Sequence, residues 1–306
     1  MLSVILKRLG SSLLILLGVA AITFVLLYCL PADPAVMIAG RSATPQIVAN
    51  IRHELGLDQP FIMQFFNYLT NLLQGNLGRS YVQKSEVTSL IAARLPATLI
   101  LMFSGIVVEV ILGTTLGVIA ALNRGRILDR VVMGLSFVGV SAPQFVVSLF
   151  FLIVFAAKLG WFPMSGFGTF KYIVLPALTL GVLGAGWYAR MVRSALIDVL
   201  TQDYVRTARA KGLTGQRVVL RHALPNALLP IIAMIGIDIG QFMSGVVVVE
   251  AVFGWPGIGQ LAWQAIQQVD IPIIMGVTLV SALAIVMGNF LADILAPLID
   301  PRIRIH

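Results

Sequence analysis

The chain has 306 residues, 58% of them hydrophobic and only 11% charged, with a mean hydropathy of +0.96. A soluble domain carries about 25% charged residues, so this composition excludes one and places the chain in a bilayer. The net charge of +8 needs no nucleic acid to explain it, because basic loops held beside an anionic leaflet give the same sign, and the lone Cys29 can form no internal disulfide.

A hydrocarbon core of about 30 Å needs about 20 apolar residues per helix. Six stretches meet that length, at about 9–30, 97–122, 131–157, 173–191, 227–252 and 272–296. The expected fold is therefore all-α and membrane-embedded, with six transmembrane helices. Residues 1–30 are read as the first of them, 31–96 as a helical extracytoplasmic segment, 97–296 as a five-helix core with a long loop at 191–226, and 297–306 as a cytoplasmic tail. Lys7 and Arg8 ahead of the first apolar run imitate a secretory signal. The run from Leu9 to Leu30 is too long for a signal core, and no small-x-small cleavage site precedes "LPADPA", so a retained helix is expected.

In the segment after the first span, Thr44 can cap a helix with Pro45 at its first position, and Ile47, Val48, Ile51 and Leu55 fall on one face before Gly56 ends the pattern. A second amphipathic run, Phe61 to Leu73, stops at "GNLGRS". Both helices are expected on the membrane surface, either packing on the bundle or offering a docking surface.

Glu109 and Asp238 lie near the middles of the second and fifth spans. A charged carboxylate facing lipid there costs at least ~2.5 kcal/mol, so both should face inward. Three roles stay open for them: binding cationic groups of a substrate, staying protonated, or bonding between helices. In the third span Pro143, with Gly139 and Ser141 just before it, should break the helix near its middle. Backbone freed at that depth is tolerated against protein or a water-filled cavity, which permits either a pathway lining or a packing kink. Glu250 and Asp293, near span ends, are expected to snorkel to the interface. After the fifth span, "GWPGIG" at 254–259 allows a tight re-entrant turn. There Pro256, Gly257 and Gly259 read as a structural turn rather than a gate, and Trp255 suits the membrane interface.

The loop between the fourth and fifth spans contains "TARAKGLTGQRVVLRHALPNALLP", residues 207–230, with four Lys or Arg and no acid. Ala, Arg and Lys favour helix through Lys211, Gly212 can take the positive φ that ends it, and a second helix from Gln216 to Leu224 should be interrupted by Pro225. A solvated basic loop and a partner-docking element both fit this pattern.

Basic residues set orientation. With the N-terminus inside, the inner segments hold Lys7 and Arg8; Arg124, Arg126 and Arg130; seven between Arg190 and Arg221; and Arg302 and Arg304. Seven remain for the outer segments. Five of these lie in 31–96, where Asp33, Glu54, Asp58 and Glu86 nearly cancel them, so both termini are expected in the cytoplasm.

The 207–225 spacing resembles the cytoplasmic EAA loop of permease subunits in type I ABC importers, written E-A-A, three residues, G, nine residues, I-x-L-P. Aligned on Gly212, its Leu-Pro falls on Leu224 and Pro225. Arg206 stands for the acid, Thr207 for the first alanine and His222 for isoleucine, while "DYVRTARAKGL" is similar to the form carried by the dipeptide, oligopeptide and nickel branch. "LPADPA" at 30–35, "LGLDQP" at 55–60, "GVSAPQF" at 139–145 and "VVEAVFGWPGIGQL" at 248–261 resemble further signatures of that branch, so the likeness covers nearly the whole chain.

The resemblance implies a multi-pass protein of the bacterial inner membrane, half of a pore for di- or oligopeptides, with glutathione or nickel complexes as alternatives. It also implies partners: a second permease, expected to be a different chain, two ATPase subunits, an extracytoplasmic substrate-binding protein, and membrane lipid. Arg206, Thr207, Ala208, Arg209, Ala210, Lys211 and Gly212, with Leu224 and Pro225 on the return, would be the element that couples to an ATPase. No G-x-x-x-x-G-K-[ST] occurs, so ATP and Mg would be bound by the partner, and this chain is expected to hold no cofactor or metal and to be no enzyme. No H-E-x-x-H or G-x-S-x-G occurs either. A proton-coupled secondary transporter using Glu109 and Asp238 is the remaining rival.

Overall fold

A computed structural model describes residues 2–29, 34–39, 43–54 and 56–299. Leu55, the beginning of "LPADPA", the last seven residues and the side chain of Asp293 lie outside the described set, so the expectations that rest on them are not taken further.

Helix α1 (Leu2–Cys29) leaves Leu13, Leu14 and Ile22 exposed on its outer surface, as lipid contact requires, and packs on the last helix. Three short helices follow: α2 (Pro34–Ala39), α3 (Pro45–Glu54) and α4 (Phe61–Leu73). As expected, α3 begins at Pro45 and the chain turns beyond it through Gly56 at φ +65°. Helix α4 lies against α1, where Phe24 meets the rings of Phe61, Phe65 and Tyr68 at 5.3, 5.3 and 5.4 Å between centroids.

Helix α5 (Val87–Leu122) begins ten residues ahead of the expected span, because Val87 is fully buried and Pro96 is accommodated inside the helix. It packs along α8 (Phe170–Leu200), and glycines explain how closely. A Cβ on Gly113 would stand 2.8 Å from the Ala185 carbonyl, and one on Gly117 2.7 Å from that of Ala189. Small residues four apart let backbones approach in a medium that supplies no hydrophobic drive between helices.

The third span is two helices, α6 (Ile127–Ser141) and α7 (Gln144–Phe151), which continues through the wider π-type turns of Leu152–Lys158 and is bent 103° from α6. The break falls where Pro143 was expected to make it: Ala142 is driven to ψ 131°, the extended conformation a following proline imposes.

Beyond α8 come α9 (Asp203–Ala210), then α10 (Gly215–Arg217), a π-type stretch at Val218–Ala223 and α11 (Leu224–Ala227). The fifth span follows as α12 (Leu229–Gly245) and α13 (Val247–Val252), then α14 (Ile258–Gln268) and α15 (Ile271–Ile299). One expectation is corrected here. Pro225 does not stop the second loop helix; it sits in the first turn of α11, where its missing N–H is no loss, and the chain instead bends 46° around Leu228. The fifth span, expected at about 227–252, is covered by α12 and α13 with a one-residue break at Val246. Among the described residues four helices are long and apolar enough to cross a bilayer singly, and counting each bent pair as one span gives six.

Candidate functional site

Helices α5, α6, α7, α8 and α12 enclose a half-open cavity of about 540 Å³. Its wall is mostly apolar, with Leu180, Leu183, Met234, Ile237 and Phe242, yet Glu109 and Asp238 both line it. The two carboxylates that sequence placed in separate spans therefore face one space. Tyr188 of α8 donates its hydroxyl to Asp238 Oδ2. The Glu109 side chain leans over Gly184, where any Cβ would collide with its carboxyl, and lies within electrostatic reach of Asp238. Glu109 is 3% exposed, and its Oε2 has no hydrogen-bond partner. Sequence reasoning missed Tyr188, for which no local spacing gives a signal.

Of the third-span candidates, Gly139, Ser141 and Pro143 do not themselves line the cavity; their neighbours Val140, Ala142 and Gln144 do. Pro143 turns the chain so that Gln144 brings an amide to the wall, while Gly139 lets α6 approach α8, its Cβ position being 3.2 Å from the Val182 carbonyl.

Of the coupling candidates, Arg206 to Ala210 lie in α9, Lys211 caps it, and Leu224 and Pro225 open α11; α9 itself starts at Asp203, and an acid in the first turn suits the positive end of the helix dipole. Gly212 takes φ +79°, as expected. Val205 and Ala208 are buried against Val218, so Ala208 belongs to the chain's own core and not to an outward face. Arg206, Thr207, Arg209, Ala210 and Lys211 are exposed. Asn226 of α11 donates to the Tyr204 hydroxyl at 3.0 Å, tying α9 to the base of the fifth span near Leu224 and Pro225. A helix anchored through a buried face and a cross-link moves with the spans behind it.

The 254–259 turn overturns two expectations. Trp255 does not face outward: it is 2% exposed, and its indole N–H donates to the Ala97 carbonyl at 2.9 Å. Glu250 does not snorkel; it is fully buried, accepting from the Thr98 hydroxyl at 2.7 Å and the Gln260 N–H at 2.8 Å. Gln260 lies in the first turn of α14, so the carboxylate satisfies donors that a helix N-terminus leaves free. Gly257 and Gly259 are needed because a Cβ on either would press on Glu250. Pro256 lies between Trp255 and Gly257, within the loop that leads into α14.

A second buried carboxylate, Asp270, holds the 80–82 segment at the same end of the bundle, accepting from the Ser80 hydroxyl and from the N–H groups of Tyr81 and Val82, each at 3.2 Å. Burial, then the charge of Asp270, pushes the Tyr81 hydroxyl up to about 12. No group of three or more His, Cys, Asp or Glu side chains with metal-binding geometry occurs among the described residues.

The architecture and motifs agree with known proteins. Residues 113–305 match the family described as binding-protein-dependent transport system inner membrane component, and residues 1–102 match its N-terminal companion. The chain is 41% identical over 304 residues to the glutathione transport system permease protein GsiC of Salmonella choleraesuis (strain SC-B67), covering 99% of both chains. It is 40% identical over 304 residues to the protein of that name from Escherichia coli (strain K12), again covering 99% of both. A chain of the inward-facing methionine ABC transporter MetNI shares the fold, with TM-score 0.56 and 24% identity over 69% of this chain and 96% of that one. The chain therefore belongs to the binding-protein-dependent transport system inner membrane components, as a permease subunit of a type I ABC importer of the dipeptide, oligopeptide and nickel branch.

Proposed function

We propose that this permease subunit forms half of a translocation pore for glutathione and other short peptides. The observation that carries the substrate is the 41% identity to a glutathione permease along the full length of both chains. The sequence alone put di- and oligopeptides first and glutathione second; the relatives favour glutathione, itself a tripeptide. The cavity supports the reading, since apolar walls interrupted by carboxylates and the Gln144 and Gln241 amides suit a small zwitterionic peptide. Its open side is where a second permease would close the pore.

Movement would come from ATPase subunits that bind ATP and Mg and receive α9. Closure of the ATPase pair then displaces a rigid docked helix, and the Tyr204 to Asn226 bond carries the displacement into α11 and the fifth span. An extracytoplasmic binding protein delivers the substrate, both termini are cytoplasmic, and the 254–259 turn is a fixed strut at the outer end.

Uptake of labelled glutathione by cells with and without this chain tests the proposal. Loss of uptake on removal, restored by the chain alone and unaffected by collapsing the proton gradient, supports it. Undiminished uptake refutes the substrate.

A further inference from the structure

Two carboxyl groups, Glu109 and Asp238, share the apolar cavity with a single hydroxyl, that of Tyr188, which is already committed to Asp238. Glu109 lines the cavity within hydrogen-bonding reach of Asp238, while its buried Oε2 accepts from no protein donor. Two carboxyl groups this close in an apolar space cannot both carry charge unless a cation joins them, least of all at membrane depth; without one they share a proton. Gly184 keeps the carboxyl where it is, because only the absence of a side chain there gives it room. The arrangement is thus preorganised.

We propose that the Glu109–Asp238 pair is the cavity's subsite for the primary ammonium group of the passing peptide. An ammonium has three N–H donors and no acceptor, so it can replace the proton between the two carboxyl groups and bond to both. Charge-assisted bonds of this kind are the strong ones in a low-dielectric space. The remainder of the peptide then lies along the apolar wall, with its amides beside Gln144 and Gln241. Tyr188 acts as a positioning residue, fixing the Asp238 carboxylate through its hydroxyl.

This subsite rests on the peptide reading. Its test is equilibrium binding of glutathione and of des-amino glutathione, which lacks only the ammonium, to the assembled permease–ATPase complex freed of binding protein. The native complex should bind glutathione about tenfold or more tightly than the analogue. In Glu109→Gln with Asp238→Asn that gap should close through weaker glutathione binding, with the analogue unchanged. Equal binding of the two ligands by the native complex overturns the subsite and leaves a pair that merely shares a proton. Equal weakening of both in the variant also overturns it. Should the double variant fail to assemble, the isosteric Glu109→Gln alone must narrow the gap, and an unaltered gap refutes the role of Glu109. If the native importer with its binding protein takes up neither glutathione nor a dipeptide, the substrate reading fails and the subsite with it, a result distinct from either binding outcome.

Discussion

Arg193 of α8 grips Asp129 of α6 through two parallel bonds, Nε to Oδ1 at 2.6 Å and Nη2 to Oδ2 at 2.7 Å. The Gly125 N–H adds a third, to Oδ2 at 2.9 Å. The clamp fastens the bent third span to α8 at the end of the bundle from which α9 projects, so the cavity wall and α9 share one frame.

Asp129→Ala should therefore lower stability by about 1.5–3 kcal/mol, the range for a hydrogen bond to a charged group. Arg193→Lys should cost part of that, since a lysine keeps the charge but loses the fork. Thermal unfolding of the purified protein in detergent reads both, and an unshifted midpoint in Asp129→Ala would remove the clamp from the account.

Two glycine replacements should part company. Gly257→Ala drives a methyl group into the buried Glu250 carboxylate, and overpacking of this kind costs about 1–3 kcal/mol. Gly134→Ala, inside α6 with open space around the Cβ position, should be neutral or stabilise by up to about 1 kcal/mol. Equal melting midpoints for the two variants would show that the 254–259 turn is looser than described.

Gly212 has open space around its Cβ position, so substitution there acts through φ +79° alone. Gly212→Val should impose about 1–3 kcal/mol of backbone strain at the end of α9, whereas Gly212→Asn, which tolerates the left-handed region, should be milder. Glutathione taken up per ATP hydrolysed should fall in the order native, Asn, Val, with the spans still folded. An unchanged ratio in Gly212→Val would detach α9 from coupling.

On the segment between the first two spans, His53 Nδ1 lies 2.7 Å from Asp58 Oδ2 in an exposed pair. The bond to Asp58 raises the histidine above its ordinary 6.5, and the same bond lowers the aspartate below 3.8. The histidine contribution is complete below pH 6.5 and fades as pH rises through the raised value; the aspartate contribution is complete above 3.8 and fades as pH falls. Amide exchange at residues 56–58 should accordingly be better protected at pH 5.5 than at pH 8, after correction for intrinsic rates. Asp58→Asn should erase the difference.

What sequence revealed and what it hid follow from how far apart the partners lie. Apolar runs, the Pro143 break and the positive φ of Gly212 are local, so a window of a few residues exposes them. That Glu109 and Asp238 face inward followed from the cost of charge in lipid, but their meeting depends on how α5, α8 and α12 pack. Trp255 and Glu250 were misplaced because their partners, Ala97 and Thr98, are 158 and 152 residues away, and an amphipathic side chain near a span end defaults to the interface. Asp129 with Arg193, and Asp270 with Ser80, were missed for the same reason. Pro225 was misjudged because a proline that can end one helix can equally open the next.

The account rests on ATP-driven movement of peptide through a pore of which this chain is half. Glutathione uptake and ATP hydrolysis, measured together in proteoliposomes holding this chain with its second permease and ATPase subunits, test it most directly. The account predicts uptake that requires both ATP and the binding protein and that survives collapse of the proton gradient. Uptake that follows the proton gradient without ATP would contradict it and transfer the driving role to Glu109 and Asp238.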